Sequence, residues 1–167
     1  MKTLGYSRYE ISNYCLPSHQ SRHNRVYWSG LGWWGFGQGS TSSPWGEKLT
    51  RPRISKEYRE WVIRQCEINL DSSLTNKDFI YKELDEKIML GLRLKEGIDI
   101  YKVFKEQKWE NKKSESNLKN LLQEWDRFLE SGLLERKGNR FFLSDPKGME
   151  LSNQILISMF KWWDEIN

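Results

Sequence analysis

The sequence predicts an α+β fold in which short strands come first and helices follow. Over residues 9–39, aromatic residues and glycines occur in short runs of the kind that form strands. Beyond residue 71, apolar residues recur at intervals of three and four, which is the spacing of helices. The change in pattern predicts a boundary at about residues 71–78, which divides the chain into residues 1–70 and residues 71–167.

The first third contains two predicted strands, Tyr9–Tyr14 and Trp33–Gly39. The second strand has glycines at alternate positions, Gly35, Gly37 and Gly39, and alternate residues of a strand share one face. Glycines inside a strand commonly mark the close approach of a ligand or of another backbone. This face therefore lies under a flat cofactor or packs against a helix, and the pattern leaves both interpretations open.

Both histidines of the chain, His19 and His23, lie in a predicted loop between these strands. The surrounding segment is crowded with aromatic residues: Tyr9, Tyr14, Tyr27, Trp28, Trp33, Trp34 and Phe36. It is interpreted as a ligand-lining wall or as the edge of a truncated barrel. His23 binds a ligand or orders the loop, whereas His19 is assigned to the loop alone. Glu10, the acid on this wall, is a structural carboxylate or a pocket group.

Helical spacing predicts three helices in the middle of the chain. Ser55 is the expected N-cap of a helix over residues 56–70. A second helix is expected over residues 78–94, and a short one contains the apolar residues between 100 and 104.

The remaining elements complete a helical module. A charged loop is expected over residues 112–116, followed by a helix that ends at Gly132. Residues 133–136 and 140–143 form a predicted hairpin, and Pro146 opens a final helix. Helices followed by a hairpin and another helix predict a winged-helix-like domain.

The positive charge is concentrated near the N-terminus. Residues 1–54 contain seven Lys or Arg and two acids, a net charge of +5, whereas the remainder has 20 basic and 21 acidic residues, a net charge of −1. This distribution favours an anionic small ligand or a polyanion at the first third of the chain.

Cysteine usage and hydropathy exclude several classes of protein. Cys15 and Cys66 lie far apart, without the spacing of a disulfide framework or a zinc site. No apolar run is long enough for a membrane span, and the first residues do not form a secretory signal. We therefore expect a cytoplasmic protein.

Several motifs in order resemble one family. They are Tyr9-Glu10-Ile11-Ser12-Asn13-Tyr14, His23-Asn24-x-x-Tyr27-Trp28, Gly35-Phe36-Gly37-Gln38-Gly39, Arg51-Pro52-Arg53, Glu86-x-x-Met89-Leu90-Gly91-Leu92-Arg93-Leu94-x-Glu96-Gly97-Ile98, Gly132-Leu133-Leu134 and Leu151-Ser152-Asn153. Together they resemble the HemW-type haem chaperones. These form a branch of the radical S-adenosylmethionine proteins that is labelled oxygen-independent coproporphyrinogen III oxidase-like.

The resemblance covers only the C-terminal part of that family. Full-length members begin with a Cys-x-x-x-Cys-x-x-Cys triad, whose [4Fe–4S] cluster binds S-adenosylmethionine, and this sequence contains no such triad. We therefore expect no cluster and no autonomous catalysis. The resemblance implies that residues 1–70 are the last strands and helix of an incomplete α/β barrel. The missing N-terminal half or a second copy of the chain would cover its edge.

The resemblance also implies a haem site. His23 would be an axial ligand to the iron, Tyr27 and Trp28 would offer flat faces, and Arg22 and Arg25 would pair with the propionates. Asn24 belongs to the same motif. The three glycines Gly35, Gly37 and Gly39 would line the wall near the S-adenosylmethionine and substrate pocket. The family usually continues Gly-Ala-His-Ser, whereas Gly39-Ser40-Thr41-Ser42 lacks the histidine.

The expected partners are haem or porphyrin and the proteins that accept haem, with membrane contact only through those acceptors. A contribution to coproporphyrinogen III oxidation is one alternative. Nucleic-acid binding through the winged-helix-like domain is another, but its candidate recognition helix carries Glu124, Asp126 and Glu130 against Lys119 and Arg127. Because phosphate binding needs clustered cations, no nucleic-acid partner is expected.

Overall fold

The structure, a computed structural model, describes residues 2–44, 46, 48–68 and 83–167. Its contacts divide the chain into two compact units. Residues up to Trp28 together with residues from Glu83 onward form the first unit, and residues between them form the second. Helices and strands are both present, as an α+β fold requires. Within the described ranges, no helix has the length and hydropathy to cross a membrane.

The first unit begins with a small hairpin. A 3-10 turn (Lys2–Leu4) is followed by strand β1 (Ser7–Arg8), which pairs antiparallel with β2 (Tyr14–Cys15). The prediction of one strand over residues 9–14 was therefore wrong, because these residues turn the chain. The buried Glu10 carboxylate accepts hydrogen bonds from the amide nitrogen of Ser12 at 3.2 Å and from the Asn13 side chain. A side-chain carboxylate that binds nearby backbone in this way stabilises a turn.

A short helix, α1 (Arg22–Trp28), completes the N-terminal part of the first unit. The rest of this unit is mainly helical. Its elements are α3 (Leu84–Leu92), β5 (Ile98–Asp99), α4 (Ile100–Lys105), α5 (Asn111–Glu130), β6 (Leu134–Lys137), β7 (Arg140–Leu143), α6 (Lys147–Glu150) and α7 (Ser152–Ile166). Strand β7 lies in the middle of the sheet, with β5 and β6 antiparallel on either side.

One hydrophobic core holds these elements together. Its members with 0% exposed surface are Leu84, Ile88, Leu92, Ile100, Leu121, Trp125, Phe141, Ile155 and Met159. Helix α5 supplies Leu121 and Trp125, helix α7 supplies Ile155 and Met159, and the two helices pack against each other. The predicted apolar spacing thus corresponds to the observed core.

Two boundaries in this region differ from the predictions. Helix α5 begins at Asn111, so the charged loop expected over residues 112–116 is helical instead. These residues are mostly exposed, and a turn without buried apolar residues has no periodicity to detect. The final helix is divided at Leu151 into α6 and α7. Residues 78–82 of the helix expected over residues 78–94 lie outside the described residues.

The second unit contains the hairpin of β3 (Thr41–Ser42) with β4 (Leu49–Thr50), followed by α2 (Ser55–Ile68). Helix α2 confirms the helix predicted from residue 56, although Leu70 lies outside the described residues. The prediction of a buried strand over Trp33–Gly39 was wrong. Trp33 forms a single bridge with Ser43, and the side chain of Phe36 is 86% exposed.

Candidate functional site

Helix α1 carries the histidine motif, so the prediction that His23 lies in a loop was wrong. The helix starts after Ser21, whose hydroxyl accepts a hydrogen bond from the amide nitrogen of Asn24 at 3.3 Å. The carbonyl of Ser21 accepts the amide of Arg25 at 3.1 Å. A serine in this arrangement is a typical N-cap.

Three side chains of α1 attach the helix to the first unit. The Asn24 amide donates to the hydroxyl of the buried Tyr9 at 3.3 Å. Arg25 Nη1 lies 2.5 Å from Glu96 Oε1. The Trp28 ring lies under the guanidinium of Arg93, whose central carbon is 5.3 Å from the ring centroid. Each of these three side chains of α1 thus has its partner outside the helix.

His23 lies on an exposed face of the same helix. Its imidazole forms a T-shaped contact with the Tyr27 ring one turn later, with centroids 4.7 Å apart and planes at 86°. Neither ring nitrogen has a hydrogen bond to any described residue. By contrast, Nδ1 of His19 contacts the carbonyl oxygen of Pro17 at 2.8 Å. Both ring nitrogens of the exposed His23 are thus without a hydrogen bond to the described residues, and Tyr27 lies beside the ring.

The two arginines of α1 differ in their availability. Arg25 is held by Glu96, whereas the exposed Arg22 has no ion pair or hydrogen bond with the described part of the chain. Arg93 covers part of the Trp28 ring, so Trp28 cannot offer both of its faces to a ligand. For a flat anionic ligand with a metal at its centre, His23, Tyr27 and Arg22 fit best. Arg25 and Trp28 fix the helix.

The glycines predicted to line a pocket lie in the second unit, where each has a different environment. A Cβ atom on Gly35 would lie 2.1 Å from the carbonyl oxygen of Thr41, so the hairpin's own backbone requires glycine there. Gly37 and Gly39 have φ values of +87° and +70°, in the left-handed region that favours glycine. These local requirements account for the three glycines without a ligand, and the structure does not align them on one strand face.

The residues present do not fit a [4Fe–4S] cluster. Cys15 is buried in the first unit, and Cys66 is exposed on α2 of the second. No three His, Cys, Asp or Glu side chains converge as metal ligands anywhere in the described ranges. Cluster binding requires several cysteine thiolates together, and the two cysteines of this chain do not supply them.

Two arginines of the predicted wing are used within the fold. Arg140 donates from Nε to the carbonyl of Glu96 at 3.1 Å and from Nη2 to the carbonyl of Gly97 at 3.0 Å. Arg136 donates to the carbonyl of Gly138 and to the hydroxyl of Tyr101. Cations engaged in this way are less available to phosphates, which does not favour a nucleic-acid interface.

Arg93 and Glu96 were absent from the predicted site, although both lie within the motif spanning residues 86–98. Their role depends on contacts with α1, and residues about 70 positions apart give no local pattern. The structure thus defines a small α+β protein in which one anchored helix carries an exposed histidine, an adjacent aromatic ring and an arginine without a partner among the described residues.

Comparison with known proteins identifies the relatives of this chain. It is 33% identical to a Heme chaperone HemW of Synechocystis over 96% of the chain and 41% of that protein. It is 29% identical to a Heme chaperone HemW of Lactococcus lactis over 90% of the chain and 37% of that protein. A mitochondrial radical S-adenosyl methionine domain-containing protein of Danio rerio is 26% identical over 94% of the chain and 34% of its own length.

Nearly the whole chain is therefore related to part of the HemW-type haem chaperones, which confirms the resemblance seen in the motifs. The chain spans between 34% and 41% of the length of these three relatives. No protein-family model matches the sequence, and no solved structure matches it.

Proposed function

We propose that this chain binds haem on helix α1, with His23 as an axial ligand to the iron, for transfer to haem-accepting proteins. The observation that carries the proposal is the exposed His23 imidazole, which makes no hydrogen bond to the described residues. Imidazole is a common haem ligand. The names of the relatives support haem as the cargo.

The neighbouring side chains have distinct roles in this proposal. Tyr27 limits the rotation of the imidazole through its edge contact. Arg22 pairs with a haem propionate, because Arg25 is already engaged with Glu96. Asn24 and Trp28 act indirectly by holding the helix. We also propose that Gly35, Gly37 and Gly39, in the second unit, line the wall near an S-adenosylmethionine and substrate pocket.

The two parts of the chain, residues 1–70 and 71–167, have different architectures in this proposal. We infer that residues 71–167 are a winged-helix-like domain, which the order α3, β5, α4, α5, β6, β7 supports. Residues 1–70 correspond to the end of an incomplete α/β barrel, completed by the portion of the relatives that this chain does not match or by a second copy.

A [4Fe–4S] cluster and S-adenosylmethionine belong to that unmatched portion, and the present chain is not catalytic alone. The proposed location is the cytoplasm.

Haemin titration followed by absorbance tests the haem site. We expect wild-type protein to shift the Soret band and His23→Ala to abolish the shift or weaken binding by about tenfold or more, equivalent to about 1.4 kcal/mol. His19→Ala is the matched control, because it removes the other exposed imidazole of the sequence, which lies outside helix α1. Equal spectra for wild type and His23→Ala would remove His23 from the site.

A further inference from the structure

The turn that follows α3 is held rigidly in the fold. Gly97, at its end, has a φ of +63°, and a Cβ atom there would lie 2.0 Å from the carbonyl oxygen of Phe141. The Arg140 guanidinium binds the carbonyls of Glu96 and Gly97. Residues 93–97 therefore form a fixed feature, which we call the α3–β5 turn.

The α3–β5 turn is also bonded to the N-terminal segment. The amide of Ile11 donates to the carbonyl of Arg93 at 2.9 Å, and the amide of Lys95 donates to the carbonyl of Tyr9 at 3.2 Å. Glu10 and Leu94 form a bridge between these hydrogen bonds. The backbone that carries Tyr9 is thus anchored before α1 begins.

Helix α1 depends on tertiary contacts because a helix of its length is unstable in isolation. It has seven residues, none of them fully buried, and isolated helices of that length are unstable in water. Its attachments are Asn24 to Tyr9, Arg25 to Glu96, and Trp28 to Arg93. Two of the three partner side chains belong to the α3–β5 turn, and the third is bonded to it through its backbone.

We infer that Arg93 and Glu96 are positioning residues for the haem site, because they keep α1 helical and so hold His23 against Tyr27. The ring contact between His23 and Tyr27 joins residues four positions apart, which are neighbours on the surface of a helix but lie about 13 Å apart along an extended strand. Loss of the turn's contacts therefore frees the imidazole. This inference rests on the proposed function, and it places part of the haem site in the C-terminal half of the chain.

A charge exchange between Arg25 and Glu96 tests the inference. We expect Glu96→Arg and Arg25→Glu each to weaken haemin binding by about two- to fivefold, the range for an exposed ion pair. The double variant Arg25→Glu/Glu96→Arg should recover most of the affinity and the wild-type Soret position. Glu135→Arg, which changes an exposed carboxylate of β6, is the charge-matched control and should bind as wild type does.

A second readout separates failure of this inference from failure of the proposed function. Amide hydrogen exchange of residues 25–28, measured without haemin, should accelerate in Glu96→Arg and return in the double variant. Unchanged exchange and haemin affinity in Glu96→Arg, with binding still lost in His23→Ala, would overturn the positioning role alone. If His23→Ala binds as wild type does, the proposed function fails, while the exchange experiment still decides whether the turn holds α1.

Discussion

Gly97→Ala should lower the free energy of unfolding of the first unit by about 2–5 kcal/mol. The left-handed backbone costs an alanine about 1–2 kcal/mol, and forcing a side chain into a filled space costs about 1–3 kcal/mol. The added Cβ atom would lie 2.0 Å from the Phe141 carbonyl oxygen and 2.5 Å from Phe142 Cβ, so β5 and β7 would have to separate. Urea unfolding followed by circular dichroism measures the loss.

Gly138→Ala is the matched control for this prediction. Gly138 has nearly the same φ, +61°, but among the described residues beyond its chain neighbours no atom lies within 4 Å of the added Cβ position. It should show only the conformational cost of about 1–2 kcal/mol. Equal losses in the two variants would contradict the claim that the close approach of β7 requires glycine at position 97. Because Gly97 ends the α3–β5 turn, its replacement should also weaken haemin binding, whereas replacement of Gly138 should not.

Trp125→Ala should cost about 3–5 kcal/mol, the range for removing a large aromatic side chain from a core. Its indole is 0% exposed and lies 5.4 Å from the ring of Phe141, measured between centroids. The substitution leaves a cavity between α5 and the central strand of the sheet. Chemical denaturation of the purified variant measures the loss.

Trp34→Ala provides the comparison at the surface, since Trp34 is 53% exposed. A substitution of that kind commonly changes stability by no more than about 0.5 kcal/mol. If Trp34→Ala lowered the free energy of unfolding as much as Trp125→Ala does, the result would contradict the burial of Trp125 in the core.

The helical core was predictable because each of its helices carries its own apolar stripe. Leu121, Trp125 and Phe128 recur at helical spacing, and the hairpin of β6 and β7 is marked locally by Gly138. The prediction of a strand over residues 33–39 was wrong because alternating glycines resemble strand periodicity. In the structure, Gly37 and Gly39 adopt positive φ values, and Gly35 allows a close backbone contact.

Helix α1 could not be predicted from its own residues. None of its side chains is fully buried, and its attachments lie at Tyr9, Arg93 and Glu96. The motif resemblance identified His23 as a candidate ligand, but the exposure of its ring and its contact with Tyr27 required the fold. The engagement of Arg25 with Glu96 likewise became evident only when distant parts of the chain were brought together.

Chemical rescue of His23→Ala by free imidazole tests the central claim most directly. Removing the side chain should leave a vacant axial position on the haemin iron, and dissolved imidazole can occupy that position. The His19→Ala control should need no rescue. We expect the Soret band of His23→Ala to return to the wild-type position as imidazole is added, with unchanged circular dichroism. A band that already matches wild type before imidazole is added would contradict ligation by His23.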